Sequence, residues 1–277
     1  MDPIYHDVIR RRLEQPLHEG PDKVTTLAEA VRRHVQAGDT VYVGAAHGRA
    51  NVLVREVTRQ WWGKRPDFTL AAIGVGSPWT ALIHGGLVRR VITTFMGEGY
   101  PFPTPQPLIS RAVLEGRLEV QNWSMLTMPL RLLAGAMGVP FLTTKSLLGS
   151  SMEEDNARDG DFMAADDPFG GQERVGYVRA LVPDVALIHG WAADRAGNVL
   201  TAAPLNENLY GAMAAKRGAV VTVERIVSTD FIRRHSGLVK LPSQYVHTVV
   251  EAPQGCHPGG MYGMGVAELE GYAEDLE

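Results

Sequence analysis

Short β-branched runs take turns with helical-period segments along nearly the whole chain, and few folds are compatible with that order. Thr26 and Glu29 have the spacing of a capping box, in which each side chain satisfies an exposed amide of a first helical turn. Leu27, Val31 and Val35 follow at helical intervals, Gly38 ends the segment, and Thr40–Gly44 reads as a strand. The alternation continues with a helix over Asn51–Trp62, a strand over Phe68–Ile73, a strand over Val88–Phe95 and a helix over Leu108–Leu114. It resumes with strand Leu118–Gln121, helix Met125–Met137, strand Val185–His189, helix Asn208–Lys216, and strands Val220–Glu224 and Val246–Val250. Strands joined through helices imply crossover units and a mostly parallel sheet. The expectation is therefore an α/β protein, a single open, mostly parallel-sheet domain over 24–277. A polar arm over 1–23 precedes it, with Arg10, Arg11 and Arg12 in a row. Between Thr143 and Gly176 the pattern lapses into acidic clusters, and that stretch reads as one long acidic loop.

A chain of 277 residues with 45% hydrophobic and 21% charged residues can bury a core, which excludes a disordered protein. The net charge of −4 argues against a nucleic-acid groove. The longest apolar candidate, Met128 to Leu142, is interrupted by Pro129 and Arg131, so no membrane span is expected. Met1–Asp7 lacks the charged-then-apolar layout of a signal peptide, and a cytoplasmic location follows as the expectation. One cysteine, Cys256, leaves no disulfide framework, and no histidine pair has metal-ligand spacing, so no metal is expected. Cys256 sits in a Gly/Pro-rich stretch without a suitably spaced base. Its expected role is structural, in a turn.

Three loops at strand ends carry the candidate chemistry. Gly74-Val-Gly76-Ser77 follows a strand and resembles half of a dinucleotide fingerprint. Trp79 occupies the place of the third glycine, where only a small residue lets helix and strand pack closely. No cofactor is expected there, and Gly74, Gly76 and Ser77 read instead as the lining of a substrate cleft. Gly97-Glu98-Gly99 follows another strand and precedes Pro101, Pro103, Pro105 and Pro107, which places the Glu98 carboxylate on a rigid loop. His47, Gly48 and Arg49 follow the first strand, where a cationic pair can hold a carboxylate. A further glutamate, in Asn206-Glu207-Asn208, is read as the start of a helix, because acids are favoured at its positive end.

Several segments in order resemble the A (α) subunits of class I coenzyme A transferases, the group that includes glutaconate CoA-transferase and the steroid-ring CoA hydrolase. Ala37-Gly-Asp39 with Val41-Tyr-Val-Gly44 is similar to that family's first helix, turn and strand. Val91–Phe95 with Gly97–Glu98, then Arg111 and Glu115–Glu119, resembles its Gly-Glu loop and following helix. Ala134–Phe141 with Gly149–Met152 is the most specific stretch. Pro183–His189, Ala193–Asn198 and Val223–Val227 complete a resemblance running from about residue 24 to 260.

The resemblance implies a glutamate that attacks an acyl-CoA, giving an anhydride and then a glutamyl-CoA thioester. That nucleophile belongs to a Ser-Glu-Asn-Gly type sequence on the family's B subunit, and this chain has none. The implied function is the A subunit of a heteromeric CoA-transferase that moves CoA between carboxylic acids. Its implied partner is a homologous B (β) subunit, in an α2β2 heterotetramer, with an acyl-CoA and a carboxylic acid as substrates. Coenzyme A enters as a substrate thioester and not as a cofactor. Glu98 is the expected catalytic carboxylate, with His47, Gly48, Arg49, Gly74, Gly76 and Ser77 binding substrate. The family's Gly-Gly after the first strand is here Ala45–Ala46. Two other readings stay open: a CoA-thioester hydrolase or lyase, ring-opening or decarboxylating, on the same scaffold, and a non-catalytic acyl-CoA-binding regulatory domain.

Overall fold

Residues 3–13, 19–45, 48–98, 103–171, 173–201 and 207–275 are described by the computed structural model, the side chains of 9–13 excepted. In chain order the elements are α1 (Pro3–Leu13), α2 (Leu27–His34), β1 (Thr40–Val43), α3 (Asn51–Trp61), β2 (Phe68–Ala71), β3 (Gly74–Val75), α4 (Thr80–His84), β4 (Val88–Thr93) and β5 (Phe95–Met96). Next come α5 (Pro107–Leu114), β6 (Glu119–Asn122), α6 (Thr127–Met137), β7 (Phe141–Thr144), α7 (Ser151–Arg158), β8 (Phe162–Asp166), β9 (Arg174–Arg179) and β10 (Val185–Ala193). The chain closes with β11 (Val199–Leu200), α8 (Glu207–Ala214), β12 (Ala219–Ile226), α9 (Thr229–Arg234), β13 (Val239–Leu241) and β14 (Val246–Glu251).

The central sheet runs β6-β4-β2-β1-β10-β12-β14 with every neighbouring pair parallel. Two short antiparallel strands, β11 and β13, continue from the far end of β10. Successive residues of a strand point to opposite faces, so Val41, Val43, Val185 and Leu187 share one face. They pack with Val31 of α2, Leu53 and Val57 of α3, and Ile109 of α5. Tyr42, Ala186 and Ile188 point the other way, onto Met128 and Leu132 of α6 and Ala212 of α8. Both faces are covered, which is why β10 is buried along its whole length and why these strands read as continuous apolar runs. The expected α/β class with a mostly parallel open sheet is what the chain adopts.

The chain builds outward from β1 through β2, β4 and β6, then returns to lay β10, β12 and β14 on the other side. The strand order therefore reverses between β1 and β10. Ligands of open α/β sheets bind outside the carboxyl ends of the strands at such a reversal.

One expectation fails. The stretch from 143 to 176 is not a long acidic loop but contains α7 and most of a three-stranded antiparallel sheet, β7-β9-β8. The acidic residues that resembled loop formers have structural partners. Ser150 caps α7 by accepting from the Glu153 amide, and Glu153 and Glu154 occupy its first turn, where the helix dipole favours them. Asp161 pairs with Arg131 at 3.1 Å. Arg131 is buried on α6, donates to the Arg179 carbonyl at 2.9 Å and lies 4.2 Å over the Trp123 ring. Burial lowers its pKa to about 10, so it stays charged and needs that carboxylate.

Candidate active site

Three loops leave the carboxyl ends of β1, β2 and β4 and meet above the sheet. The loops after β2 and β4 are joined by a miniature parallel sheet, with Gly74 opposite Phe95 and Val75 opposite Met96. The Gly97 amide then donates to the Val75 carbonyl at 3.0 Å, and the Glu98 amide to the Thr104 carbonyl at 2.8 Å. Gly97 has φ +152°, and a Cβ there would sit 2.6 Å from the Thr104 carbonyl oxygen, so only glycine permits this crossing. The result is a fixed position for Glu98, half-buried, with its Oε1 accepting from the Ser77 hydroxyl at 2.5 Å.

The third loop, after β1, supplies Arg49. Its Nε donates back to the Ala45 carbonyl at 3.3 Å, which folds the side chain over its own loop. Arg49, Gly74, Gly76, Trp79, Phe95 and Glu98 line one cavity of about 220 Å³, with Ala45, Val75, Pro78 and Gly97 completing its wall. A guanidinium and a carboxylate thus share a small cavity otherwise walled by glycines, aliphatic side chains, a proline, an indole and a phenyl ring. Such a cavity can hold a carbonyl or carboxylate against the cation while presenting a second carboxylate to it.

The sequence-predicted residues distribute unevenly. Arg49, Gly74, Gly76 and Glu98 line the cavity, and Ser77 reaches it through its bond to Glu98. Gly48 does not line it. Its φ is +69° and a Cβ would lie 2.8 Å from the His189 carbonyl oxygen, so it serves the close packing of the loop on β10. His47, Gly99 and Pro101 lie outside the described residues. Glu207 opens α8 as expected, and burial pushes its carboxyl up.

Sequence reasoning missed two supports of the site. Asn51, buried at the start of α3, accepts from the Trp79 indole N–H at 2.8 Å and donates to the Cys256 carbonyl at 2.5 Å. It thereby fastens a cavity wall to the chain's last segment. Behind Gly48 lies a buried network on β10 and β12. His189 Nδ1 is 2.8 Å from Thr222 Oγ1, and its Nε2 is 2.8 Å from Glu224 Oε1. Tyr272 donates to the same Glu224 oxygen at 2.7 Å, and the Gln254 amide donates to the other at 2.6 Å. His189, Glu224 and Cys256 are metal-ligating types with ligand atoms all within 4.8 Å of one another. Both Glu224 oxygens are nevertheless taken by protein donors, which fits a hydrogen-bonded clamp. The alternation of Thr222 and Glu224 along one strand was a visible signal. Their meeting with His189 depends on pairing across 33 residues and was not.

Cys256 is fully buried, and burial pushes its thiol up to about 12. A thiol so far from ionising is a poor nucleophile at neutral pH. Cys256→Ala is therefore expected to keep whatever turnover the cavity supports within about threefold of wild type, and thiol reagents should leave the native protein unmodified. A loss beyond about a hundredfold in a folded variant would restore a chemical role for the sulfur.

Residues 24–252 match the family model described as coenzyme A transferase. The A-type chain of 3-oxoadipate CoA-transferase from Pseudomonas knackmussii is 33% identical over 245 residues, covering 87% of this chain and 83% of that one. The crystal structure of glutaconate coenzyme A-transferase from Acidaminococcus fermentans superposes with a TM-score of 0.76 at 28% identity, over 85% of this chain and 77% of that one. A variant of the decarboxylase AibA/AibB is similarly alike, with a TM-score of 0.72 at 30% identity over 91% and 88% of the two chains.

Proposed function

The chain belongs to the coenzyme A transferase family, and on that premise we propose that it is the A subunit of a heteromeric enzyme moving CoA between carboxylic acids. A homologous B subunit supplies the glutamate nucleophile, and the two chains assemble as an α2β2 heterotetramer. The observation that carries this reading is the cavity above the carboxyl ends of β1, β2 and β4. It presents Glu98 and Arg49 from loops fixed by backbone bonds, in a chain whose sequence holds no Ser-Glu-Asn-Gly nucleophile motif. The relative named as an A-type chain supports the division of labour.

In this reading Arg49, with His47 from the same loop, holds the carboxylate or carbonyl end of the acyl group. The glycine-lined walls at Gly74 and Gly76 admit the acyl chain, and Ser77 keeps Glu98 in place. The partner's glutamate attacks the thioester carbonyl and expels CoA as a thiolate. The thiolate then attacks the glutamyl carbonyl of the resulting anhydride and releases the first carboxylate, leaving a glutamyl-CoA thioester. An acceptor carboxylate takes the same route in reverse and leaves as the new acyl-CoA. CoA is a substrate throughout, and no resident cofactor or metal has a part. Among the described residues no helix is long and apolar enough to cross a membrane. We place the complex in the cytoplasm, where acyl-CoA and carboxylic acids meet.

The test is reconstitution. The chain purified alone should show no CoA transfer among succinyl-, glutaryl- and butyryl-CoA donors. Isolated with its B-type partner it should transfer CoA, and the glutamyl-CoA thioester formed on the partner should be reduced by borohydride to the alcohol, or converted by hydroxylamine to the hydroxamate, with release of CoA. Full transfer by the lone chain would overturn the reading. So would an assembled complex that hydrolyses or decarboxylates acyl-CoA and forms no trappable thioester, the outcome to which the likeness to a decarboxylase lends interest.

A further inference from the structure

Arg49 has a second neighbour that belongs to neither strand-end loop opposite it. The chain beyond residue 252, past the stretch that the family model matches, folds back over the carboxyl ends of β10 and β12. The Ala252 amide donates to Val223 and the Val52 amide to Gly255, at 2.8 and 2.9 Å, which starts the segment along the site. Met261 and Tyr272 then exchange both backbone bonds, at 3.0 and 2.9 Å, closing a loop. The Tyr272 hydroxyl fixes that loop at depth, accepting from the Cys256 amide at 3.1 Å and donating to Glu224 at 2.7 Å. The Asp275 amide donates to the Pro258 carbonyl at 2.8 Å and fixes the segment beyond it.

Between those two anchors stands Glu274, whose Oε1 lies 3.7 Å from Arg49 Nη1. The two side chains are 42% and 44% exposed, and Arg49 is the one that also lines the cavity. A long ion pair between half-exposed groups is readily exchanged for another carboxylate.

We propose that Glu274 sets which acyl ends the site accepts. Its carboxylate neutralises Arg49, so a dicarboxylic acyl group competes with it for the guanidinium while an acyl group with a neutral end does not. This rests on the reading of Arg49 as the clamp for the acyl end. The bonds of Tyr272 on one side and of the Asp275 amide on the other hold Glu274 in place.

The quantity to measure, in the assembled complex, is the kcat/KM ratio of glutaryl-CoA to butyryl-CoA. Glu274→Gln should raise that ratio about two- to fivefold, through a lower KM for glutaryl-CoA, and the gain should shrink in high salt. Arg49→Ala should lower the ratio about tenfold, because a half-exposed guanidinium sits at the low end for charge-assisted pairs. In the Arg49→Ala background Glu274→Gln should change nothing. A purely structural Glu274 would affect both substrates alike and leave the ratio where it was. An unchanged ratio in Glu274→Gln, with the Arg49→Ala effect present, overturns the inference alone. A ratio indifferent to Arg49→Ala overturns the clamp, and the inference with it.

Discussion

In the assembled enzyme, Glu98→Gln should lower kcat/KM for CoA transfer at least about a hundredfold, mainly through KM, while the glutamyl-CoA thioester on the partner stays trappable. A hundredfold is about 2.7 kcal/mol of transition-state stabilisation, within the range of a positioned acid–base or charge-assisted group. Glutamine keeps the shape of the side chain and the loop's own bonds, from the Gly97 amide to Val75 and from the Glu98 amide to Thr104. The Ser77 hydroxyl, 2.5 Å from Oε1, can still donate to an amide oxygen. What changes is the charge facing Arg49 across the cavity and the ability to exchange a proton with a bound acid. In a transferase the covalent intermediate forms on the partner's glutamate, so recognition of the acyl group suffers more than the intermediate. In a hydrolase or lyase the same substitution would abolish turnover and nothing would be trappable, since Glu98 would itself place water or take a proton. Kinetics within threefold of wild type in both assays would make Glu98 a solvated loop residue.

The cavity was largely legible in the sequence, because each of its loops announces itself locally. Gly74-Val-Gly76 and Gly97–Glu98 follow β-branched runs, and residues after strands of a parallel sheet converge at one edge whatever their separation in the chain. The strand order itself was not legible. It depends on which strands pair, and β10 lies beside β1 although most of the domain separates them in sequence. The acidic stretch misled for a related reason. Glu153, Asp159 and Asp161 are loop formers by composition, yet their partners Arg174, Arg90 and Arg131 lie on other elements. A charge looks solvated until its distant partner is known. Asn51 was hidden in the same way, since nothing local distinguishes it from an ordinary first residue of a helix. His257 follows Cys256 in the sequence, whereas the histidine near the cysteine in space is His189, from β10.

That histidine's network should hold a substantial share of the domain's polar stabilisation, and Glu224→Ala is its sharpest test. Removing the carboxylate leaves the Tyr272 hydroxyl, the Gln254 amide and His189 Nε2 without their acceptor, in a place where His189 is fully buried. Three unmatched donors, of which only that of His189 is fully buried, cost about 3 kcal/mol together. At roughly 2–4 °C per kcal/mol for a domain near this size, the thermal midpoint should fall by about 6–12 °C. Acid should reproduce part of the loss in the unmodified protein. Burial pushes the Glu224 carboxyl up, but the bonds from His189, Tyr272 and the Gln254 amide outweigh it and leave its pKa below the ordinary value. A folded pKa below the unfolded one gives stability that is present above about pH 4.3 and is lost as pH falls through the folded value. The stability of Glu224→Ala should accordingly vary less with pH in that acid range than that of the wild type. Because Gly48 rests on the His189 carbonyl, the variant should also bind glutaryl-CoA more weakly at temperatures where it is still folded, through a loosened Arg49 loop. A thermal midpoint within about 2 °C of wild type, with the acid dependence intact, would mean that water replaces the carboxylate at no cost and that the Arg49 loop is held by its own backbone bonds alone.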